Sequence, residues 1–224
     1  MNSTRASRPI PLALTVLVAC FAALTALAVS KGHDAQAHGN SPAVSGNASV
    51  LRSDMRVLWE DHIVWTRLAI ISLTTGSPDT SATVTRLLRN QADIGDAVKP
   101  FYGRAAGNRL TAELRRHILI AADVVAAAKA GDQAKLADAQ ARWRRNANDI
   151  AGLLHSVNPR FWKLGAMQAE MQKHLSLTTQ EAVARLEGKW AADVAAYDRI
   201  HHHILHLSDL LANGLIQQFP KRFR

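Results

Sequence analysis

Four of the ten histidines, His62, His117, His174 and His201, fall where helical periodicity turns a side chain toward a core. They come from four separate segments, so only a tertiary fold can bring them together. Imidazole ligates zinc, copper and iron, and a helical bundle can direct side chains from facing helices onto one ion. Asp93, Asp193 and Asp198 sit in or beside the same apolar stripes and could complete such a shell or orient a ring. Glu60 and Asp61 stand beside His62. Glu113 and Glu170 each precede a histidine by four residues, on the same helix face. Together these residues mark a candidate site for a metal ion or small polar ligand, with a transition metal as the candidate cofactor. The plainer alternative is that each ring is half-buried and bonded to its own neighbour. Asp198-Arg199-Ile200-His201 approximates a Glu-x-x-His motif with Asp in place of Glu, a departure that argues against a di-iron oxidase. In the run His201-His202-His203 successive residues turn by about 100°, so one ring points inward and the others outward.

Other chemistries find less support. Met167 and Met171 could ligate copper or haem, but at helical spacing they read as core. Trp59, Trp65, Trp143, Trp162 and Trp190 could line a pocket, yet a chain with few Phe and Tyr needs large residues as filler. There is no Gly-x-Ser-x-Gly elbow and no glycine-rich phosphate loop. The only cysteine, Cys20, lies near the N-terminus, which leaves the rest of the chain without a disulfide or thiolate. No catalytic residue is identified.

The elements that must position the histidines are helices. Hydrophobic residues make up 48% of the 224-residue chain but aromatics only 5%, so the apolar content is largely Ala and Leu, which suits helix packing. Periodicity and capping signals predict helices over about 53–73, 77–98, 110–129, 133–155 and 163–174. Lys99-Pro100-Phe101-Tyr102-Gly103 breaks the second from the third. Thr178-Thr179-Gln180-Glu181 resembles a capping box, and no proline follows until Pro220. This predicts one long helix over 178–219, with Val183, Leu186, Trp190, Val194, Tyr197, Ile204, Leu207, Leu211 and Leu215 as its stripe. The expected fold class is all-α, an antiparallel bundle of four to six helices with a long C-terminal helix.

Residues 1–37 read as a signal peptide or membrane anchor. Arg5 and Arg8 precede an apolar run from Ile10 to Val29, and Ala35-Gln36-Ala37 is a small-x-small cleavage pattern. The run is long enough to span a bilayer if uncleaved, and Leu17-Val18-Ala19-Cys20 also fits a lipobox. Residues 38–50, rich in Gly, Ser, Asn and Ala, read as a flexible linker, and 51–224 as the helical domain. The expected location is the periplasm or the extracytoplasmic face of the inner membrane, with the membrane as a partner through the N-terminal segment. The net charge is +9, of which residues 1–37 contribute +2, leaving +7 on the remainder. Those charges are dispersed and not interleaved with aromatics, so a nucleic-acid partner is not expected.

Leu58-Trp59-Glu60-Asp61-His62-Ile63-Val64-Trp65-Thr66-Arg67, Pro100-Phe101-Tyr102-Gly103, Met171-Gln172-Lys173-His174-Leu175 and Gln217-Gln218-Phe219-Pro220 resemble a family of exported bacterial helical proteins. The resemblance covers most of the chain after the linker. It implies a bacterial origin and an exported bundle, and it carries over no catalytic residue. Labels such as glycosyltransferase and acetylglutamate kinase circulate for similar sequences. Neither fits a chain lacking a nucleotide-binding loop and an alternating strand–helix pattern. The expected function is a binding module using inward His and Asp. The alternative is a structural or envelope-interaction bundle with no ligand, and an enzyme ranks last.

Overall fold

The computed structural model describes residues 47–223, and among them there is no strand. The segments expected as leader, including Cys20, and most of the linker lie outside the described residues. Five helices follow one another: α1 Ala48–Thr75, α2 Thr80–Ala130, α3 Gln133–Val157, α4 Leu164–Leu186 and α5 Trp190–Gln218, with a short 3₁₀ turn at Pro220–Arg222. No helix among the described residues is long and apolar enough to cross a membrane.

Helix α1 starts inside the stretch expected as linker, because Asn47 caps it by accepting the Ser49 amide at 2.8 Å. Helix α2 is a hairpin in all but name. At Gly103 the backbone turns to φ 82°, ψ 168°, a conformation open only to glycine, and Pro100 weakens the helix just before it. The arms 80–102 and 104–130 then run back along each other. The break expected at 99–103 is therefore present, with both arms longer than the periodicity suggested.

The helices pack side by side as a bundle, and bonds between them fix their directions. Arg52 meets Asn213, Arg56 meets Asp209 and Arg67 meets Asp193, so α1 and α5 are antiparallel. Arg116 meets Asp149 and Asp123 meets Arg142, which sets the second arm of α2 antiparallel to α3. The main core passes through Ile63, Leu114, Ile150, Met167, Ile200, Ile204 and Leu215, and two smaller clusters, around Leu87 and around Ile70, lie apart from it. One end is closed by Phe101, Phe219 and Phe223, with Phe101 and Phe219 rings 5.3 Å apart.

The single helix expected over 178–219 is two. Gly188 takes φ 68°, and the amides of Gly188 and Lys189 return to the carbonyls of Arg185 and Ala184. This is a glycine-based C-terminal stop, and it turns the chain around. Thr178 is then mid-helix, and its hydroxyl donates back to the His174 carbonyl at 2.9 Å instead of capping. The stripe is corrected as well. Val183 is 41% exposed, Trp190 59% and Val194 53%, while Asp193, Ala196, Ile200 and His203 take the inward positions.

The two arms of α2 touch through glycine. A Cβ added at Gly95 would lie 2.8 Å from the Gly107 carbonyl oxygen, and one at Gly107 would lie 2.6 Å from that of Gly95. Backbone cannot swing aside as a side chain can. Gly95→Ala and Gly107→Ala should each destabilise by about 1–3 kcal/mol through overpacking. Gly152, with nothing near its missing Cβ, should accept alanine with no loss or a gain of up to about 1 kcal/mol. Urea denaturation of the three variants checks the contrast, and equal behaviour at all three positions would refute the close approach.

Candidate functional site: a layer of buried imidazoles

Four histidines from four helices meet in the core: His62 on α1, His117 on α2, His174 on α4 and His203 on α5, each nearly inaccessible. His174 is the hub, its ring centroid 5.8 Å from His62, 5.9 Å from His117 and 6.0 Å from His203. Each ring follows from helical period: Met55, Leu58, Trp59, His62 and Ile63 share the inner face of α1, as Met167, Met171, His174 and Leu175 share that of α4.

The rings are not equally provided for. Trp143 can only donate, and its Nε1–H reaches His117 Nε2 at 3.2 Å, so that nitrogen accepts. His117 Nδ1 therefore carries the proton and donates to Asn146 Oδ1 at 2.8 Å. Asn146 is held that way round because its amide nitrogen donates to the Glu113 carbonyl and carboxylate. His62 Nδ1 lies 3.3 Å from Gln91 Nε2, which also donates to the Leu87 carbonyl. Beside it, Asn90 donates to the Leu58 carbonyl at 2.9 Å. By contrast, His174 Nδ1 and both ring nitrogens of His203 are buried with no hydrogen-bond partner, as is one oxygen of Glu170. That oxygen stands 3.5 Å from His203 Nδ1, and the other stands 3.8 Å from Nε2 of the exposed His206.

All four rings are held neutral. Burial lowers the His62 pKa to about 3, reinforced by the neighbouring His117. Burial likewise brings His117 to about 4, drives His174 well below its ordinary value and lowers His203. A cavity of about 30 Å³ lies against Trp59, His62, His117, Trp162 and His174. That is room for an atom-sized guest, a water or an ion, and for no organic ligand.

The residues expected as one site do not all meet. His62, His117 and His174 come together as expected. His201 does not join them: the stop at Gly188 resets the helix, His203 takes the inward position between Ile200 and Ile204, and His201 is 28% exposed, its Nε2 2.7 Å from Glu60 Oε1. Asp193 is buried elsewhere, in an ionic cluster with Arg67, Arg185 and Glu181. Burial pushes its carboxyl up, but the bonds and charges of the two arginines outweigh this and hold it below the usual range. Burial raises Glu181, and Arg67 offsets that only in part. Asp93 is half-buried on α2 and Asp198 is exposed on α5, both outside the layer. Among the described residues, no group of three or more His, Cys, Asp or Glu side chains is already arranged to hold a metal ion. Periodicity missed His203, although it lies in the singled-out triple. Glu170 was visible as the residue four before His174. Gln91 gave no signal of its own.

The neutral rings make stability depend on pH. Above about pH 6.5 the histidines are uncharged folded and unfolded, and no proton-linked penalty arises. Below it the unfolded chain binds protons that the folded one refuses, until the folded values near 4 and 3 are reached. Each ring then removes about 1.4 kcal/mol per pH unit. Urea midpoints should be level from pH 8 to 7 and fall steeply from pH 6.5 to 5, with uptake of two or more protons on unfolding. A level midpoint down to pH 5 would contradict neutral burial. No protein-family model, no curated protein and no solved structure matches the chain.

Proposed function

We propose that the chain is an exported helical-bundle binding module that takes a transition-metal ion at the α4–α5 side of its imidazole layer. The observation that carries this reading is the set of unpartnered donors: His174 Nδ1, both nitrogens of His203 and an oxygen of Glu170. An unsatisfied buried polar atom costs about 1–3 kcal/mol, and ligation would remove several such costs at once. Glu170 and His174 are one turn apart on α4, and His203 and His206 are one turn apart on α5. Two imidazoles, a carboxylate and a further solvent-side imidazole suit zinc, copper(II) or nickel. Burial keeps the inner rings deprotonated, as a ligand must be. Convergence on an ion requires these rings to rotate and the His206 arm to swing inward. His117 takes no part, because both its nitrogens are engaged. Export rests on Arg5, Arg8, the apolar run and Ala35-Gln36-Ala37, with the membrane as partner if the segment is retained.

A second reading has an observation of its own. The fully bonded His117–Asn146–Glu113 and Asn90–Leu58 contacts act as register pins that need no ligand. On that reading the layer only selects one packing of the bundle.

Calorimetric titration of tag-free protein with zinc, copper(II) and nickel decides between them. One ion should bind per chain, more weakly at pH 5.5 than at 7.5. His203→Ala and Glu170→Gln should each weaken it at least tenfold, while His201→Ala leaves it unchanged. Absence of binding, or equal loss with His201→Ala, leaves the register reading in possession. Export has its own check: residues 1–50 fused to a reporter active only outside the cytoplasm should give signal, and a cytoplasmic fusion product would defeat it.

A further inference from the structure

A second cavity lies on the other side of the layer, toward the α4–α5 turn. We propose that it is a binding site for the end of a hydrocarbon chain, independent of any metal. Its volume is about 90 Å³, three times that of the cavity beside the imidazoles, and it has room for roughly three or four terminal carbons. It is enclosed by α1, both arms of α2, α3 and α4, with alanines such as Ala69, Ala122 and Ala182 in its wall.

Its chemistry selects the guest. Three threonines line it, and each hydroxyl is turned onto its own helix: Thr66 to the His62 carbonyl at 2.7 Å, Thr178 to that of His174 at 2.9 Å, Thr179 to that of Leu175 at 2.8 Å. The one tryptophan in the wall, Trp143, has its N–H engaged by His117. Only the half-buried Gln140 keeps a polar group at the rim. A guest inside therefore meets hydrocarbon alone, and a polar or charged one would lose its hydration without replacement. A void of this kind leaves its lining atoms without partners, which an apolar guest restores.

The cavity also has a way in. Leu136 and Gln140 on α3 and Leu186 on α4 are half-buried, and Val183 between them is 41% exposed. This apolar lip joins the cavity to the surface, so a chain can enter end-on while its head stays in water.

The test uses the full chain at pH 7.5 with three probes: decanoate, dihexanoylphosphatidylcholine below its micellar concentration, and benzene. Melting temperature is followed against probe concentration, and Trp143 is read by quenching with a terminally brominated decanoate. Decanoate or the phospholipid should raise the melting temperature in a saturable way. The first alone points to a free fatty acid, the second to a lipid. The brominated probe should quench the parent protein and leave Trp143→Phe largely unaffected. Ala182→Leu, which fills the cavity, should lower apparent affinity at least tenfold while the unliganded protein stays folded. Should that variant fail to fold, the Trp143 quenching comparison decides. Response to benzene alone overturns the chain proposal, since the void is then closed to anything longer. No response to any probe, or undiminished binding by folded Ala182→Leu, overturns it too.

Discussion

A neutral imidazole in a core has one nitrogen that must donate and one that must accept, and this bundle is arranged around four such rings in one layer. Any helix displaced by one residue rotates its side chains by about 100°, so the layer exists in a single register of all its helices. His117 shows the requirement met in full, with Trp143 donating on one side and Asn146 accepting on the other. His62 depends on Gln91, whose amide is in turn anchored to its own helix. Even the backbone near the layer is tied down: Thr66 and Thr178 bond the carbonyls of His62 and His174 one turn back. Toward α5 the layer is incomplete, and there His203 and one side of His174 lack partners.

The bundle solves its other buried-polarity problem by opposite means. Near the α4–α5 turn the carboxyl groups of Glu181 and Asp193 are matched by Arg67 and Arg185, Arg67 meeting both. Ion pairing works there because the partners are at contact distance and the arginines keep partial access to water. The imidazoles are deeper and surrounded by each other, and burial keeps them neutral, His203 included despite the Glu170 carboxylate 3.5 Å away. At the far end neither device is used, and Phe101, Tyr102, Trp162 and Phe219 close the core by ring packing. Gly214 makes room for that packing: a Cβ there would collide with the Trp162 ring.

Much of this was legible in the chain, for identifiable reasons. His62, His117 and His174 sit in stretches where the apolar period runs uninterrupted, so their inward direction followed from counting. Gly103, preceded by Pro100, announced a break that the backbone confirms. The C-terminal third misled because Gly188 resembles any other glycine in a polar stretch, while its φ of 68° ends one helix and starts another in a new phase. A stripe carried across that reset pointed to His201 where the fold uses His203. The fate of Asp193 was illegible for another reason: Arg67, which claims it, lies 126 residues away. The larger cavity depends on five segments meeting imperfectly, which no local pattern encodes.

The seam between α1 and α5 has a consequence for how the molecule is made. Its ties join residues far apart in the chain: Arg67 to Asp193 across 126 positions, Glu60 to His201 across 141, Arg52 to Asn213 across 161. Much of the remaining packing joins consecutive elements, whose loops close at small entropic cost. A chain leaving the ribosome can therefore assemble the α2 hairpin, α3 and α4 in order, but it remains an open arc. The flank of α1 bearing Leu51, Met55 and Arg67 waits for the last helix to be delivered. Completion belongs to α5, Trp190–Gln218, and until that helix docks the interior formed by the preceding helices still faces water.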